Sequence, residues 1–357
     1  MTILRCASFH SVKGGVGKST LSYMVARLLA EQAPEGERVA LIDADLTGTS
    51  LADVLSLRAP RWNSVAADDR LPLGRVPDAW TKLEHAGDAQ GIDPSPMPNL
   101  TTRATRENGH AHDVPLLNDF LLWEQDRYDQ DKDVHPEALF WKPLAEDPLA
   151  ERLVVIPSSA LPNDLAQILP LIYDELHAAF LESRLEWLLH WLLVKTNVRT
   201  VIFDTPPTVP GLSRAVLSMA MRLPDDESLA KDGGTPQSLT RAAGTTITWT
   251  AFLIASTDLQ DIRAADRWLD GRDPAELGRI QAIINRADRD DPEESLKEKL
   301  SGIPLGMLGG APTSYGGHLL DKPMVVRASS ELNVGNPGPL PTPVSEQLAR
   351  LVERIGK

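Results

Sequence analysis

A chain of 357 residues, 42% of them hydrophobic, is long enough for one large α/β domain with an insertion or for two ordinary domains. Its formal charge of −14 argues against the broad basic surface of a nonspecific nucleic-acid binder and leaves only a local patch formed on self-association. The single cysteine, Cys6, excludes an intrachain disulfide and a cysteine-clustered zinc or iron–sulfur site, and no apolar run is long enough to predict a spanning helix.

Met1 to Phe9 lacks the basic region and small-residue cleavage site of a secretory signal, so a cytoplasmic protein is expected. Leu4 to Ser11 reads as a buried strand that runs into a glycine loop. Helical spacing follows from Ser19 to Glu31 (Leu21, Met24, Val25, Leu28, Leu29), and Arg38 to Asp43 is a second buried strand. Strand, loop, helix and strand make a βαβ unit, the base of a parallel sheet.

From residue 58 to 150 the chain turns proline-rich and acidic, yet carries Trp62, Trp80, Trp123 and Trp141. Pure disorder rarely holds so many aromatics, so a partly ordered insertion is expected, with a helix near Leu116 to Arg127. Regular structure resumes with a strand at Arg152–Ile156. A helix face follows on Leu165, Ile168, Leu169, Ile172, Leu176 and Phe180, kinked or broken at Pro170. Leu185, Leu188, Leu189 and Leu192 continue on helical spacing. Further strands are expected at Thr200–Asp204, Ile247–Ser256, Arg279–Asn285 and Ile303–Met307. Thr257-Asp258-Leu259-Gln260 reads as a capping box, and Val344–Ile355 as a closing helix with Thr342 as N-cap. The predicted fold is α/β and doubly wound, with a mostly parallel sheet, helices on both faces and a large insertion after the second strand. Residues 1–57 and 151–357 form the domain and 58–150 the insertion.

The loop Lys13-Gly14-Gly15-Val16-Gly17-Lys18-Ser19-Thr20 departs from the generic phosphate-loop pattern at Val12, where glycine is usual. It satisfies the variant K-G-G-x-x-K-[ST] at every position. Glycines let successive backbone N–H groups converge on phosphate, and a helix beginning near Lys18 adds its positive N-terminal dipole. Lys18 is expected on the β- and γ-phosphates, the Ser19 hydroxyl on Mg²⁺ and Thr20 on the α-phosphate of ATP.

Lys13 ahead of two glycines resembles the signature lysine of the deviant Walker A ATPases, the ParA/MinD group. The resemblance covers roughly residues 1–57 and 151–357. It implies an ATP-dependent homodimer in which Lys13 reaches the partner's nucleotide, the part an arginine finger plays elsewhere. It makes Asp43-Ala44-Asp45 a switch, with Asp45 acting on the attacking water and Asp43 near Mg²⁺, although Leu46 stands where the family often has proline. Val201 to Pro207, ending Asp204-Thr205-Pro206-Pro207, resembles the family's second switch, with Asp204 in the Mg²⁺ shell and Gly211 near the γ-phosphate. Asn285 resembles the residue that hydrogen-bonds adenine. On chemistry alone, aspartate and asparagine at strand ends are also common caps and turn formers.

Relatives with other work fit less well. An iron–sulfur carrier needs clustered cysteines, and a bacterial tyrosine kinase has a tyrosine-rich tail, whereas Tyr23, Tyr128, Tyr173 and Tyr315 all precede the last forty residues. The Lys13 signature and the Asp-Thr-Pro-Pro switch favour the partition type over a cobyrinic-acid-type synthetase. The resemblance implies cargo positioning on nonspecific DNA with a stimulating partner protein. The acidic insertion points instead to a switch subunit of a protein assembly. In a MinD-like membrane protein the closing helix would be the tether; its mixed polar face predicts packing on the core.

Overall fold

A computed structural model describes residues 2–47, 51–55, 57–58, 116–122, 139–159, 162–208, 210–225, 245–269, 277, 279–287, 324–327 and 342–356. The strands are β1 (Thr2–Ser11), β2 (Arg38–Asp43), β3 (Leu57–Arg58), β4 (Lys142–Pro143), β5 (Leu153–Ile156), β6 (Val198–Asp204), β7 (Thr245–Ser256), β8 (Ile280–Ala287) and β9 (Met324–Arg327). The helices are α1 (Lys18–Gln32), α2 (Leu51–Val54), α3 (Leu117–Leu122), α4 (Pro162–Tyr173), α5 (Ala178–Lys195), α6 (Pro210–Arg222), α7 (Leu259–Leu269) and α8 (Thr342–Gly356).

Seven strands form one sheet in the order β5-β2-β6-β1-β7-β8-β9, and every pairing is parallel. Parallel strands are covered on both faces, which is why these segments read as continuous apolar runs rather than as alternating ones. The side chains still alternate between two layers. Leu4 and Cys6, Ala40 and Ile42, and Val201 and Phe203 pack with α4, α5 and α6. Ala7 and Phe9, Val39 and Leu41, and Ile202 pack with α1 and α8. Leu253, Ala255, Ala282 and Ile284 carry α7. The doubly wound, parallel architecture read from the sequence is therefore present.

Details differ from the sequence reading. Pro170 lies inside α4 without ending it. The break comes at Asp174, whose carboxylate accepts from the Leu176 N–H at 2.9 Å and caps a short 3₁₀ turn before α5. Leu176 is consequently 88% exposed, and Phe180 belongs to the next helix instead of the α4 face. The cap of α7 is Asp258, which accepts the Gln260 N–H at 2.7 Å, in place of the expected Thr257. The expected strand at Ile303–Met307 falls outside the described residues, and β9 was not anticipated.

The insertion leaves and returns through a two-stranded antiparallel ladder, Leu57 opposite Pro143 and Arg58 opposite Lys142. Trp62, Trp80 and Trp123 lie outside the described residues; Trp141 is buried and exchanges both backbone hydrogen bonds with Val155. The return is also bolted to α1. The buried Arg27 guanidinium donates to both oxygens of Asp147, at 2.7 and 3.3 Å, and to the Tyr23 hydroxyl at 3.1 Å. Removing one partner of such a pair strands a buried charge, so Arg27→Ala is expected to lose about 3–5 kcal/mol in urea unfolding. An Arg27→Leu/Asp147→Leu double variant should recover part of that loss.

Candidate functional site

The sheet order reverses direction about β1, and ligands of open α/β sheets bind at the carboxyl ends of strands at such a point. The sheet register brings the predicted residues there. Asp43 at the end of β2 sits opposite Asp204 at the end of β6, and Phe9 of β1 pairs with Asp204. Asn285 on β8 pairs with Ser256 of β7.

Between β1 and α1 the loop is shaped for an anion. Gly15 and Gly17 have φ of 80° and 84°, a region that favours glycine. A side chain on Gly14 or Gly15 would meet nothing within 4 Å, so the loop opens onto space. Gly17 is the N-cap of α1, no side chain caps this end, and the first turn holds no acidic residue. The first N–H groups and roughly half a positive charge of a fifteen-residue helix therefore remain for a ligand.

Carboxylates hold the loop's lysine. Lys18 is buried, and its Nζ lies 2.5 Å from Asp204 Oδ1, 3.3 Å from Asp45 Oδ2 and 3.3 Å from Ser19 Oγ. Burial disfavours its charge, but Asp204, Asp45 and Asp43 together outweigh this and raise its pKa above the ordinary lysine value. Burial pushes the Asp204 carboxyl up, against the pull of Lys18. Asp204 Oδ2 is buried without a hydrogen-bond partner among the described residues. A hard divalent cation takes oxygen ligands, and Mg²⁺ typically binds one or two protein oxygens plus substrate phosphates. The orphaned Asp204 oxygen beside the Ser19 hydroxyl fits that group.

Asp43 is satisfied differently. Its Oδ2 accepts from the Leu51 N–H at 2.8 Å and the Ser158 hydroxyl at 2.9 Å, and its Oδ1 from the Asp45 N–H at 3.3 Å. It thus fixes the Asp43–Asp45 segment at the strand end, while Asp45 also accepts from the Thr47 hydroxyl at 3.1 Å. Asn285 is buried and donates to the Val16 carbonyl at 2.7 Å, tying the loop to β8. Gly211 packs in the first turn of α6. A Cβ there would come 2.5 Å from the Ile172 carbonyl oxygen and 2.9 Å from that of Asp174, which explains glycine by the approach of α4.

Lys13 points elsewhere. Its side chain is 41% exposed, with Nζ 3.0 Å from Asp261 Oδ1 and 3.4 Å from Gln260 Oε1 at the start of α7. Cys6 is buried in β1, where burial raises its thiol pKa and keeps it unreactive.

Several contributors escaped the motif reading. Ser158, Asp261 and Gln260 are distant in sequence from the groups they hold. Thr208, just after β6, adopts φ 44°, a conformation that costs a β-branched residue about 1–3 kcal/mol. It is kept there by its N–H to the Ser11 carbonyl at 3.2 Å and its hydroxyl to the Val12 carbonyl at 2.9 Å. Only its place after Asp-Thr-Pro-Pro could have drawn attention to it.

Known proteins share this fold. A ParA family model, described as that of the NUBPL iron-transfer P-loop NTPase, matches residues 3–76. The iron-transfer part of that description finds no cysteine ligand set here, since Cys6 is the sole cysteine and is buried. Among solved structures the chain is similar to apo McdA of Cyanothece at 14% identity, covering 99% of this chain and 100% of that one, with a TM-score of 0.50. It is also similar to a ParA family ATPase of Chlorobium tepidum, at 15% identity over 99% and 98% of the two chains with a TM-score of 0.46. The cell-division protein MinD of Aquifex aeolicus matches at 16% identity over 99% and 98%, with a TM-score of 0.46. The family model spans the phosphate loop and the Asp43–Asp45 segment, so over residues 3–76 the chain is similar to the ParA family, and its parallel sheet has the P-loop NTPase fold.

Proposed function

We propose that the protein is an ATP-hydrolysing dimeric switch. The observation that supports it best is that both lysines of the loop are held away from chemistry, by different acids. Lys18 is neutralised inside its own pocket by Asp204 and Asp45, and Lys13 is drawn out of that pocket onto Asp261. ATP phosphates offer Lys18 a stronger partner. Its departure frees Asp45 for the attacking water and Asp204 for the metal shell. Mg²⁺ held by Ser19 and Asp204 would neutralise charge on the phosphates. Asp43 holds the first switch in place, and Asn285 steadies the loop from the adenine side. Lys13, on the surface, is placed to serve a second subunit's nucleotide rather than its own.

What the cycle drives follows from surface charge. Positioning of DNA or other cargo with a stimulating partner requires a basic patch on the closed dimer; Arg263 and Arg267 of α7 are exposed, while Arg279 is engaged by the Met221 carbonyl. The formal charge of −14 favours the second reading, an ATP-gated subunit of a protein assembly. A membrane tether is disfavoured because Leu348, Leu351, Val352 and Ile355 of α8 are buried against α1 and the sheet. No helix among the described residues is long and apolar enough to cross a membrane.

Two assays test this reading. Phosphate release from ATP by the wild-type protein is expected and its absence would remove the ATPase. Duplex-DNA binding by Asp45→Ala protein with ATP, falling steeply with salt, selects cargo positioning; a DNA-silent ATP dimer selects the assembly switch.

A further inference from the structure

Beneath the phosphate site lies a buried polar chain that the phosphate chemistry leaves unused. His10 is buried near the end of β1, its ring stacked 6.2 Å from Trp268 of α7. Its Nε2 is 2.8 Å from Ser8 Oγ and its Nδ1 is 3.2 Å from Thr205 Oγ1. Ser8 Oγ also accepts from the Trp249 indole N–H at 3.1 Å, and the Thr205 hydroxyl donates to the Phe9 carbonyl at 2.8 Å.

The donor inventory orients the Thr205 side of this chain. Thr205 has one hydroxyl hydrogen and commits it to Phe9, so it accepts from His10, and Nδ1 carries the hydrogen. An indole N–H can only donate, so the Ser8 oxygen receives it. A neutral His10 is then in the Nδ1–H form, with Nε2 accepting from the Ser8 hydroxyl. The chain runs from Trp249 through Ser8 to the ring, and from the ring through Thr205 to the Phe9 carbonyl, with each of these groups satisfied.

Thr205 is the residue after Asp204, within the segment that resembles the second switch. We infer that His10 is a positioning residue for ATP hydrolysis: through its Nδ1–H it fixes Thr205, and so the backbone that aims Asp204. A core histidine that merely fills space would use its two nitrogens alike. A positioning histidine needs the Thr205 side, because only that side reaches the switch. The inference rests on the ATPase reading given above.

Conservative variants separate the two sides. An asparagine amide reproduces the Nδ1–H donor and drops the contact to Ser8, whereas a glutamine amide reaches the Nε2 position and drops Thr205. His10→Asn should keep turnover within about threefold of wild type, and His10→Gln should lower kcat about 10–100-fold, the usual loss when a supporting partner of a metal-site residue is removed. ATP affinity and melting temperature should change little in either. Thr205→Ser should behave as His10→Asn, and Thr205→Val as His10→Gln. Nitrogen-15 NMR of the wild-type ring should show a protonated Nδ1 and a bare Nε2. Equal loss in both His10 variants with matching falls in melting temperature, full turnover in His10→Gln, or an Nε2–H ring would overturn the inference. A wild-type protein without turnover would instead strike the ATPase reading itself, a failure visible before any variant is made.

Discussion

Lys18→Ala is expected to lose ATP binding and, in the same stroke, to destabilise the nucleotide-free protein. Lys18 is buried, with Asp204 and Asp45 on its ammonium at 2.5 and 3.3 Å. Removing the cation leaves the fully buried Asp204 carboxylate without its counter-charge, a loss of about 3–5 kcal/mol when a buried pair is broken. The ATP phosphates lose their charge-assisted donor as well, so affinity should fall by about 100-fold or more. Calorimetric titration with ATP and urea unfolding measure the two effects. A Lys18→Ala/Asp204→Asn variant separates them, because it removes the stranded charge and should recover stability without recovering binding. The Lys18 pKa is raised, so its own contribution is present at neutral pH and fades as pH climbs above the ordinary lysine range, while the upward shift that burial imposes on the Asp204 carboxyl opposes it. Retained ATP affinity in Lys18→Ala would sink the assignment of the loop.

Lys13→Ala should do the reverse, binding nucleotide normally while hydrolysis falls about 10³-fold or more, as when an arginine finger is removed. Its ion pair with Asp261 is part-exposed and worth at most about 1 kcal/mol, so stability should barely move. Mixing variants tests whether the lysine works across subunits. Lys13→Ala protein has an intact Asp45, and Asp45→Ala protein has an intact Lys13. Each should be nearly inactive alone, and a mixture should regain turnover in mixed dimers. An inactive mixture of folded, ATP-binding proteins would mean that Lys13 does not act in trans.

The contrast between these lysines shows what the sequence could and could not reveal. Lys18 was legible because its surroundings are local: glycines at positive φ, a helix start and a strand end, all within one short stretch. Asp204 was legible because an apolar strand ending in aspartate followed by Thr-Pro-Pro is itself a local pattern. The resting partner of Lys13 was not, since Asp261 lies on another helix and only the placement of α7 brings it near. Ser158 was invisible for the same reason, as was the use of His10, whose two partners come from β1 and from the end of β6. Gly211 was placed near the γ-phosphate by the resemblance of Asp204-Thr205-Pro206-Pro207 to the family's second switch. Its tight fit against α4 depends on a helix pair whose packing no single-chain pattern encodes. Of the kink or break expected at Pro170, the break is absent, and the helix ends instead before Asp174, where a side-chain cap offers a better end.

ATP is expected to drive two subunits together, and the mass of Asp45→Ala protein reports whether it does. This variant should bind ATP and fail to discharge it. With ATP and Mg²⁺ its mass should move from 39.0 kDa to twice that value, and with ADP it should stay at 39.0 kDa. A single-chain mass in both nucleotides, from protein shown to hold ATP, would contradict the account.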